Sequence, residues 1–127
     1  MRLALDTNRY RDLIDGVGEV VSTLEQAESV LLPFVVLAEL RAGFAVGAKG
    51  VANERTLQRF LTKPGVAVLY ASEGTTRAYA SLYRQLRAQG TPIPTNDLWI
   101  AALVVDNGVT LYTRDRHFDH LPQLPRL

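Results

Sequence analysis

The sequence predicts an α/β protein, a three-layer α/β/α sandwich with a central, mostly parallel sheet of four to five strands. Two observations favour this class. Short apolar or β-branched runs alternate along the chain with longer segments of helical periodicity, and such alternation is typical of parallel strands joined by helical crossovers. The runs are also nearly all apolar, as expected of strands that helices cover on both faces.

Composition places the chain among ordinary globular proteins. It has 127 residues and no repeat or linker, so we expect one domain spanning 1–127. The absence of cysteine excludes disulfides and thiolate metal sites, and a net charge of +1 gives no overall basic field. No apolar run approaches the roughly 20 residues of a membrane span, and an acidic residue comes too early for a signal peptide. We therefore expect a soluble, cytoplasmic protein.

The first half of the chain is predicted to hold two strands and four helices. Its first apolar run ends at Asp6, as a short buried strand would. Gly16 and Gly18 separate the first two helices, and Pro33 ends the second strand. The predicted strands are 3–5 and 29–32, and the predicted helices are 8–15, 20–27, 34–44 and 51–61.

The second half is predicted to hold two more helices and the remaining strands. A long amphipathic helix should face the core through Tyr79, Leu82, Tyr83 and Leu86. The next helix is nearly all apolar and so should be buried, with Trp99 in the core. The predicted helices are 72–88 and 97–105, and the predicted strands are 66–70, 109–112 and a weak fifth near 123–124.

Four acidic residues are predicted to share one edge of the sheet. Asp6 directly follows the first strand, and Asp115 follows the fourth by a few residues. Asp97 lies in the first turn of the buried helix. Glu39 lies in the helix after the second strand, where its helical neighbours are apolar or glycine. Ligands of open α/β sheets bind outside the carboxyl ends of the strands, so these acids can point to one site.

Each acid also has a simpler explanation when it is taken alone. Asp6 could cap the helix that follows it. Asp97 could complement the helix dipole, with Thr95 as the cap. Asp115 could be a turn residue, and Glu39 could turn sideways to pair with an arginine. This last alternative is the weakest, because carboxylates are rarely buried among apolar residues without a partner.

The four acids together predict a metal site. Two carboxylates 4 Å apart repel by about 4 kcal/mol at an effective dielectric constant near 20. Three or four therefore cannot all stay ionised in one pocket without a cation. Oxygen ligands without cysteine suit a hard ion, Mg²⁺ or Mn²⁺. Such an ion lowers the pKa of a bound water and polarises a phosphoryl oxygen, which is what phosphodiester hydrolysis requires.

Four stretches of the sequence, in this order, resemble the motifs of one known family. They are LALDTN, VVLAELRAG, PTNDLWIAA and LYTRDRHFDHL. One such stretch would be weak evidence, but four in order, with spacing suited to a chain of this length, are specific. The chain resembles the PIN-domain ribonucleases, and in particular the VapC-type toxins of type II toxin–antitoxin pairs.

The resemblance implies a PIN-like fold and a Mg²⁺-dependent endoribonuclease, with Mn²⁺ as a substitute ion. Such a toxin hydrolyses RNA phosphodiester bonds and inhibits translation or growth until its cognate antitoxin binds it. The resemblance also implies a homodimer and higher-order toxin–antitoxin assemblies. We expect the antitoxin to dock on the exposed surface of the helical pair at 34–63, because Phe44 and Val46 lack an obvious core partner.

The same resemblance implies separate roles for the acids. Asp6 and Asp97 would be the most direct metal ligands. Glu39 would orient or deprotonate the attacking water, directly or through a second ion. Asp115 would complete the charge cage or bind the weaker second ion. The supporting polar residues would be Asn8 and Thr113, the latter as a hydrogen-bond partner of a carboxylate or a metal-bound water.

The basic residues near these motifs allow two interpretations. They could bind the phosphates that flank the scissile bond, or they could pair locally with nearby acids such as Asp12 and Asp15. We expect His117 and His120, which the family chemistry does not need, to be structural or exposed. The arginines concerned are Arg9, Arg11, Arg114 and Arg116.

Two other classes of function deserve comparison with the nuclease. A non-catalytic interaction or nucleic-acid-binding module would keep the fold, but all four acids are present here. A receiver or an aspartyl phosphatase would also bind a metal. A receiver needs a lysine near the last strand, and the last lysine is Lys63. The phosphatases need a second acid two residues after the first, where this chain has Asn8. Both fit poorly.

Overall fold

The computed structural model describes residues 1–127 and contains a four-stranded, wholly parallel sheet with the strand order β3-β2-β1-β4, flanked by six helices. This confirms the predicted fold class. The elements in chain order are β1 (Arg2–Leu5), α1 (Thr7–Ile14), α2 (Gly18–Glu25), β2 (Ser29–Pro33), α3 (Phe34–Val46), α4 (Gly50–Leu61), β3 (Val66–Leu69), α5 (Glu73–Gln89), α6 (Thr95–Asn107) and β4 (Thr110–Tyr112), followed by a short 3-10 helix (Arg116–His120).

The predicted strands and helices are all present except the fifth strand near 123–124, which is wrong. Gln123 instead exchanges hydrogen bonds with Gln85 on α5. The chain reaches the sheet only afterwards, in a single parallel bridge between Leu111 and Arg126. Pro125 contributes its carbonyl to Leu111 N at 2.8 Å but has no N–H to give. The tail donates to the same residue of the sheet from Leu127 N, at 2.9 Å, so the pairing begins only after the missing N–H of Pro125.

The core is one cluster of 30 buried apolar residues, to which the two central strands and α6 contribute strongly. The predicted burial of α6 is confirmed, but Trp99 is only half-buried and packs beside Tyr79 and Phe34 on the surface of the core. Tyr83 is 50% exposed rather than part of the inner stripe of α5. It stacks on Tyr79 along the helix surface instead, with ring centroids 6.5 Å apart.

Contacts between α5 and α6 fix the helix that carries Asp97. Ser72 caps α5, and Thr75 returns the bond in a capping box. Both hydroxyls donate to Asp106 near the end of α6, at 3.1 and 2.7 Å. Gly90, at a φ of +70°, ends α5 in the left-handed conformation that glycine adopts freely. No helix of the fold has the length and apolar character needed to span a membrane.

Candidate active site

The acids meet where the chain connections diverge at the carboxyl edge of the sheet. β1 lies between β2 and β4, and the chain leaves β1 toward β2 and returns only later to β4. The crevice at such a divergence is the usual ligand site of open α/β sheets. Leu5 and Tyr112 are register partners on β1 and β4. The next residue on one strand is Asp6, and the next on the other is Thr113, so the pairing itself brings the two together.

Asp6 is the most buried of the four acids, with 5% of its surface exposed. One carboxylate oxygen accepts from Arg9 N at 2.9 Å and so caps α1. The other accepts from the Thr113 hydroxyl at 2.5 Å. Burial raises the pKa of Asp6, while the bonds from Thr113 and Arg9 lower it, and the nearby Asp115 raises it again. Asp6 therefore caps α1, as the simpler explanation proposed, and its carboxylate also lies near Asp115.

Asp97 and Asp115 are joined by a histidine side chain. Asp97 is the third residue of α6, which begins at Thr95 after Pro94, so Thr95 is not its cap. The ring Nδ1 of His117 lies 2.8 Å from Asp97 Oδ2 and 3.2 Å from Asp115 Oδ1. One ligand atom from each of the three residues falls within 4.8 Å of the others. His117 is exposed, as expected, but its ring also contacts two of the acids, which the sequence did not predict.

Local hydrogen bonds hold the loop that presents Asp115. Its side chain caps the short 3-10 helix by accepting from His117 N at 2.9 Å. Its own backbone N–H donates to the Thr113 hydroxyl at 3.0 Å. Thr113 thus donates to Asp6 and accepts from Asp115, which ties the acids of β1 and β4 together.

Glu39 completes the cluster from α3. It is half-buried, and its pKa is raised first by burial and then by the negative charge of Asp97. Thr7, Asn96 and Arg11 lower that pKa. Glu39 forms no ion pair with an arginine, and the neighbouring Arg41 instead binds Glu54 on α4 at 3.0 and 3.1 Å. The sideways pairing considered for Glu39 is therefore absent.

The four acids, called the cup below, lie close enough for their charges to act on one another. Among them, Asp97 and Asp115 place ligand atoms within 4.8 Å of each other and of His117. Burial and neighbouring carboxylates raise the pKa of Asp6, Glu39 and Asp97, which shows that each is costly to ionise without a counter-charge. The hydroxyl of Thr7, beside Glu39, is buried and makes no hydrogen bond of normal geometry. Carboxylate oxygens with one imidazole nitrogen at the rim suit a hard or borderline divalent ion. The residues present fit such an ion.

The remaining polar residues near the motifs lie around the cup. The Asn8 side chain is half-buried and makes no hydrogen bond to any of the acids. Arg9 lies over the ring of Tyr112, at 4.4 Å from its centroid, and its guanidinium donates to Asp12 at 3.2 Å. Arg114 binds the same Asp12 in a two-pronged contact at 3.1 and 3.2 Å. The other two arginines, Arg11 and Arg116, are exposed and form no ion pair.

Replacing Thr113 with valine is expected to destabilise the protein. Valine keeps the shape but removes the hydroxyl, leaving an Asp6 oxygen and the Asp115 N–H without their partners. Because a stranded polar group costs about 1–3 kcal/mol, we expect the free energy of unfolding in urea to fall by about 2 kcal/mol. Thr113→Ser keeps the hydroxyl and should retain most of the wild-type free energy of unfolding. Equal losses in the two variants would assign the cost to the methyl group and contradict the hydroxyl's role.

Comparison with known proteins points to one family. The family model of the PIN domain matches residues 5–124. Ribonuclease VapC4 of Mycobacterium tuberculosis is 32% identical over 90 residues, which cover 71% of this chain and 69% of that protein. Ribonuclease VapC1 of Haemophilus influenzae is 31% identical over 125 residues, covering 94% of this chain and 92% of that protein.

Solved structures show the same fold. The crystal structure of VapBC2 from Rickettsia felis, bound to a DNA fragment from its promoter, superposes with a TM-score of 0.89 at 27% identity, covering 100% of this chain and 98% of that one. VapBC-1 from nontypeable Haemophilus influenzae gives a TM-score of 0.89 at 26% identity, covering 100% of this chain and 97% of that one.

Proposed function

This chain belongs to the PIN-domain family, among the VapC-type ribonuclease toxins of toxin–antitoxin systems, and we propose that its four-acid cup holds the Mg²⁺ with which it cleaves RNA. The resemblance in the sequence motifs is thereby confirmed at the level of the family. PIN nucleases use a divalent metal. The single observation that supports this site is that carboxylates from the end of β1, from α3, from α6 and from the loop after β4 lie close together at one edge of the sheet.

The acids have different proposed roles in binding the ion. Asp6 and Asp97 are the proposed direct ligands, as the resemblance to the family implies, and burial raises the pKa of each carboxyl. Asp115 completes the negative charge beside both. Mn²⁺ is expected to substitute for Mg²⁺ at such a set of oxygens. When bound, the ion lowers the pKa of a coordinated water and neutralises charge on a phosphoryl oxygen.

Glu39 is the proposed proton acceptor for the attacking water. Its pKa is raised by burial and by the charge of Asp97, and a carboxylate with a raised pKa is the stronger base. Its apolar neighbours on α3, among them Val35 and Val36, are buried and hold the helix against the core. Asn8 would support the site from the first turn of α1, and Thr113 holds Asp6 in place.

Exposed arginines next to the cup are proposed to contact the RNA backbone. Arg11 and Arg116 form no ion pair and so present free guanidinium groups. Arg114 is half exposed and pairs with Asp12. Because a surface ion pair contributes little free energy, Arg114 could release Asp12 and bind an RNA phosphate instead. Arg9, which is nearly enclosed between Tyr112 and Asp12, would act from within the site. Phosphate contacts of this kind position the strand without reading its sequence.

A test of the proposed activity compares RNA cleavage with and without metal. The purified protein should cut total RNA in Mg²⁺ or Mn²⁺ and stop when EDTA is added in excess. Restoring the ion should restore cleavage. Cleavage that continues undiminished in EDTA would overturn the metal-dependent mechanism. A cytoplasmic location, where RNA substrates are available, is part of this proposal.

The proposed partners are a cognate antitoxin and a second copy of the chain. The solved relatives are VapBC assemblies, one of them bound to promoter DNA. On this chain the surface between α3 and α4 is the proposed antitoxin dock, in a homodimer that joins a larger toxin–antitoxin assembly. Contrary to the sequence-based expectation, Phe44 is half-buried and packs against the core. Val46 and Val51 do lie open, at 89% and 72% exposure.

A charge at the end of α3 is expected to weaken antitoxin binding. Val46→Asp replaces a highly exposed valine of the proposed dock with a carboxylate without touching the core, so the dissociation constant of the antitoxin should rise about tenfold or more. The matched control is Val105→Asp, also at an exposed valine, near the end of α6. The antitoxin would be co-purified with the chain and then separated from it. Isothermal titration calorimetry would measure its dissociation constant for each variant. Unchanged affinity in Val46→Asp would rule out this dock, as would an equal loss in the control.

A further inference from the structure

One nitrogen donor lies among the carboxylates of the cup, and no role in the nuclease site has yet been assigned to it. We propose that His117 supplies a metal ligand through Nδ1 and thereby makes the site prefer Mn²⁺ to Mg²⁺. The inference rests on the proposed metal site and concerns which ion that site selects. Imidazole is a softer ligand than carboxylate, and nitrogen ligands favour transition metals over Mg²⁺.

The spacing of the donor atoms fits ligands that share one ion. A hard ion in octahedral geometry binds at about 2.1 Å, which puts neighbouring ligands about 3 Å apart. His117 Nδ1 lies 2.8 Å from one oxygen of Asp97 and 3.2 Å from one oxygen of Asp115. These are the separations of neighbouring ligands around one ion. The third pair of ligand atoms, those of the two aspartates, is also within 4.8 Å.

The fold holds the ring at this place. The backbone N–H of His117 donates to Asp115, and the next residue, Phe118, is fully buried in the core. The ring therefore follows directly from the turn that presents Asp115. Its side chain is 49% exposed, so it lies at the rim with one face toward solvent. Nδ1 faces the acids, and the second ring nitrogen, Nε2, can carry the proton of a neutral imidazole.

A simpler role would leave the histidine outside the metal shell. Nδ1–H can donate to the ionised Asp97, and this bond lowers the pKa of that carboxylate. On that account His117 only orients Asp97. The two roles differ in one observable, because only a ligand places a nitrogen nucleus on the metal. Binding the ion through Nδ1 requires that nitrogen to release its proton, so the bond to Asp97 is exchanged for the metal.

Electron paramagnetic resonance of bound Mn²⁺ separates the two roles. With two histidines in the chain, pulsed measurements should show nitrogen coupling in the wild type and none in His117→Ala. His120→Ala is the matched control, since that residue ends the same short helix and its side chain makes no hydrogen bond. It should keep the coupling. His117→Asn, whose amide can still donate to Asp97, should lose it as well.

Calorimetric titration tests the selectivity. We expect His117→Ala and His117→Asn to weaken Mn²⁺ binding about tenfold or more, with a much smaller change for Mg²⁺, and His120→Ala to change neither. Mn²⁺ bound without nitrogen coupling in the wild type would overturn the role of His117 and leave the four-acid site standing. Equal losses for both ions in His117→Ala would also overturn it. Failure of the wild type to bind either ion would instead remove the proposed function itself.

Discussion

Asp97→Asn is expected to reduce RNA cleavage at least about a hundredfold, because it removes one of the two proposed direct ligands. Asparagine has nearly the same shape, so the effect measures charge and metal binding. Asp97 lies near the N-terminus of α6, and the backbone hydrogen bond that joins His117 to Asp115 does not involve it. The loss should appear in the rate at saturating RNA, measured at several Mg²⁺ concentrations.

A matched control separates this loss from a general effect of charge. Asp119 lies in the short 3-10 helix near the site, but its carboxylate faces Arg126 at 2.6 Å rather than the cup. Asp119→Asn should cleave RNA nearly as well as the wild type. Full activity in Asp97→Asn, with its metal requirement unchanged, would contradict the proposed ligand set.

Divalent metal is expected to raise the melting temperature of the protein by about 10 °C at a concentration a hundredfold above its dissociation constant. Binding at that excess stabilises the folded state by about 2.7 kcal/mol. Each kcal/mol shifts the midpoint of a domain of this size by about 4 °C. Differential scanning calorimetry near pH 7.5, with Mg²⁺ and with EDTA, would measure the shift. Glu39→Gln and Asp97→Asn should reduce it.

The metal-free protein should lose stability as the pH rises. The pKa values of Asp6, Glu39 and Asp97 are raised in the folded state. The folded protein therefore holds protons that the unfolded chain has already released. This contribution is fully present below the ordinary carboxyl pKa and is lost as the pH rises through the raised values. Denaturant titrations in EDTA would follow it.

Other acids make stability rise with pH instead. A variant of Glu39 separates the contribution of the cup from theirs. Asp12 and Glu54 have pKa values lowered by Arg114 and Arg41, but these pairs are solvent-screened and contribute little. Glu39→Gln removes one repelling charge, so at neutral pH its metal-free form should melt above the wild type. A wild-type protein whose stability in EDTA rises from pH 5 to pH 8 would contradict the electrostatic picture.

Much of the fold could be predicted from the sequence, because the signals are local. Apolar runs ended by Asp6 or Pro33 define strands, and the left-handed Gly90 and Gly108 end helices. The fifth strand could not be placed, since its position depends on which carbonyl of a proline-containing tail reaches Leu111. The exposure of Tyr83 also depends on its stacking against Tyr79, one helical turn away. The spacing of apolar residues along the helix does not predict such a contact.

The acids of the site were predictable for a different reason than the histidine. Each acid adjoins a strand or a buried helix, so the topology brings them to one edge. His117 follows Asp115 by two residues in a turn, and its ring meets Asp97 only because the turn tightens into a 3-10 helix. The pairing of Arg114 with Asp12 likewise joins residues 102 positions apart, and the sequence left that alternative open. Arg9 lies only three residues from Asp12, on the same helix.

Anomalous diffraction from crystals grown with Mn²⁺ tests the central claim most directly. We expect a strong peak in the cup, with carboxylate oxygens of Asp6 and Asp97 at about 2.1 Å, the distance of a small octahedral ion, and with Asp115 and His117 beside it. Crystals of Asp97→Asn should show a much weaker peak. A cup without anomalous density at millimolar Mn²⁺, or a peak only at another place on the molecule, would contradict the account.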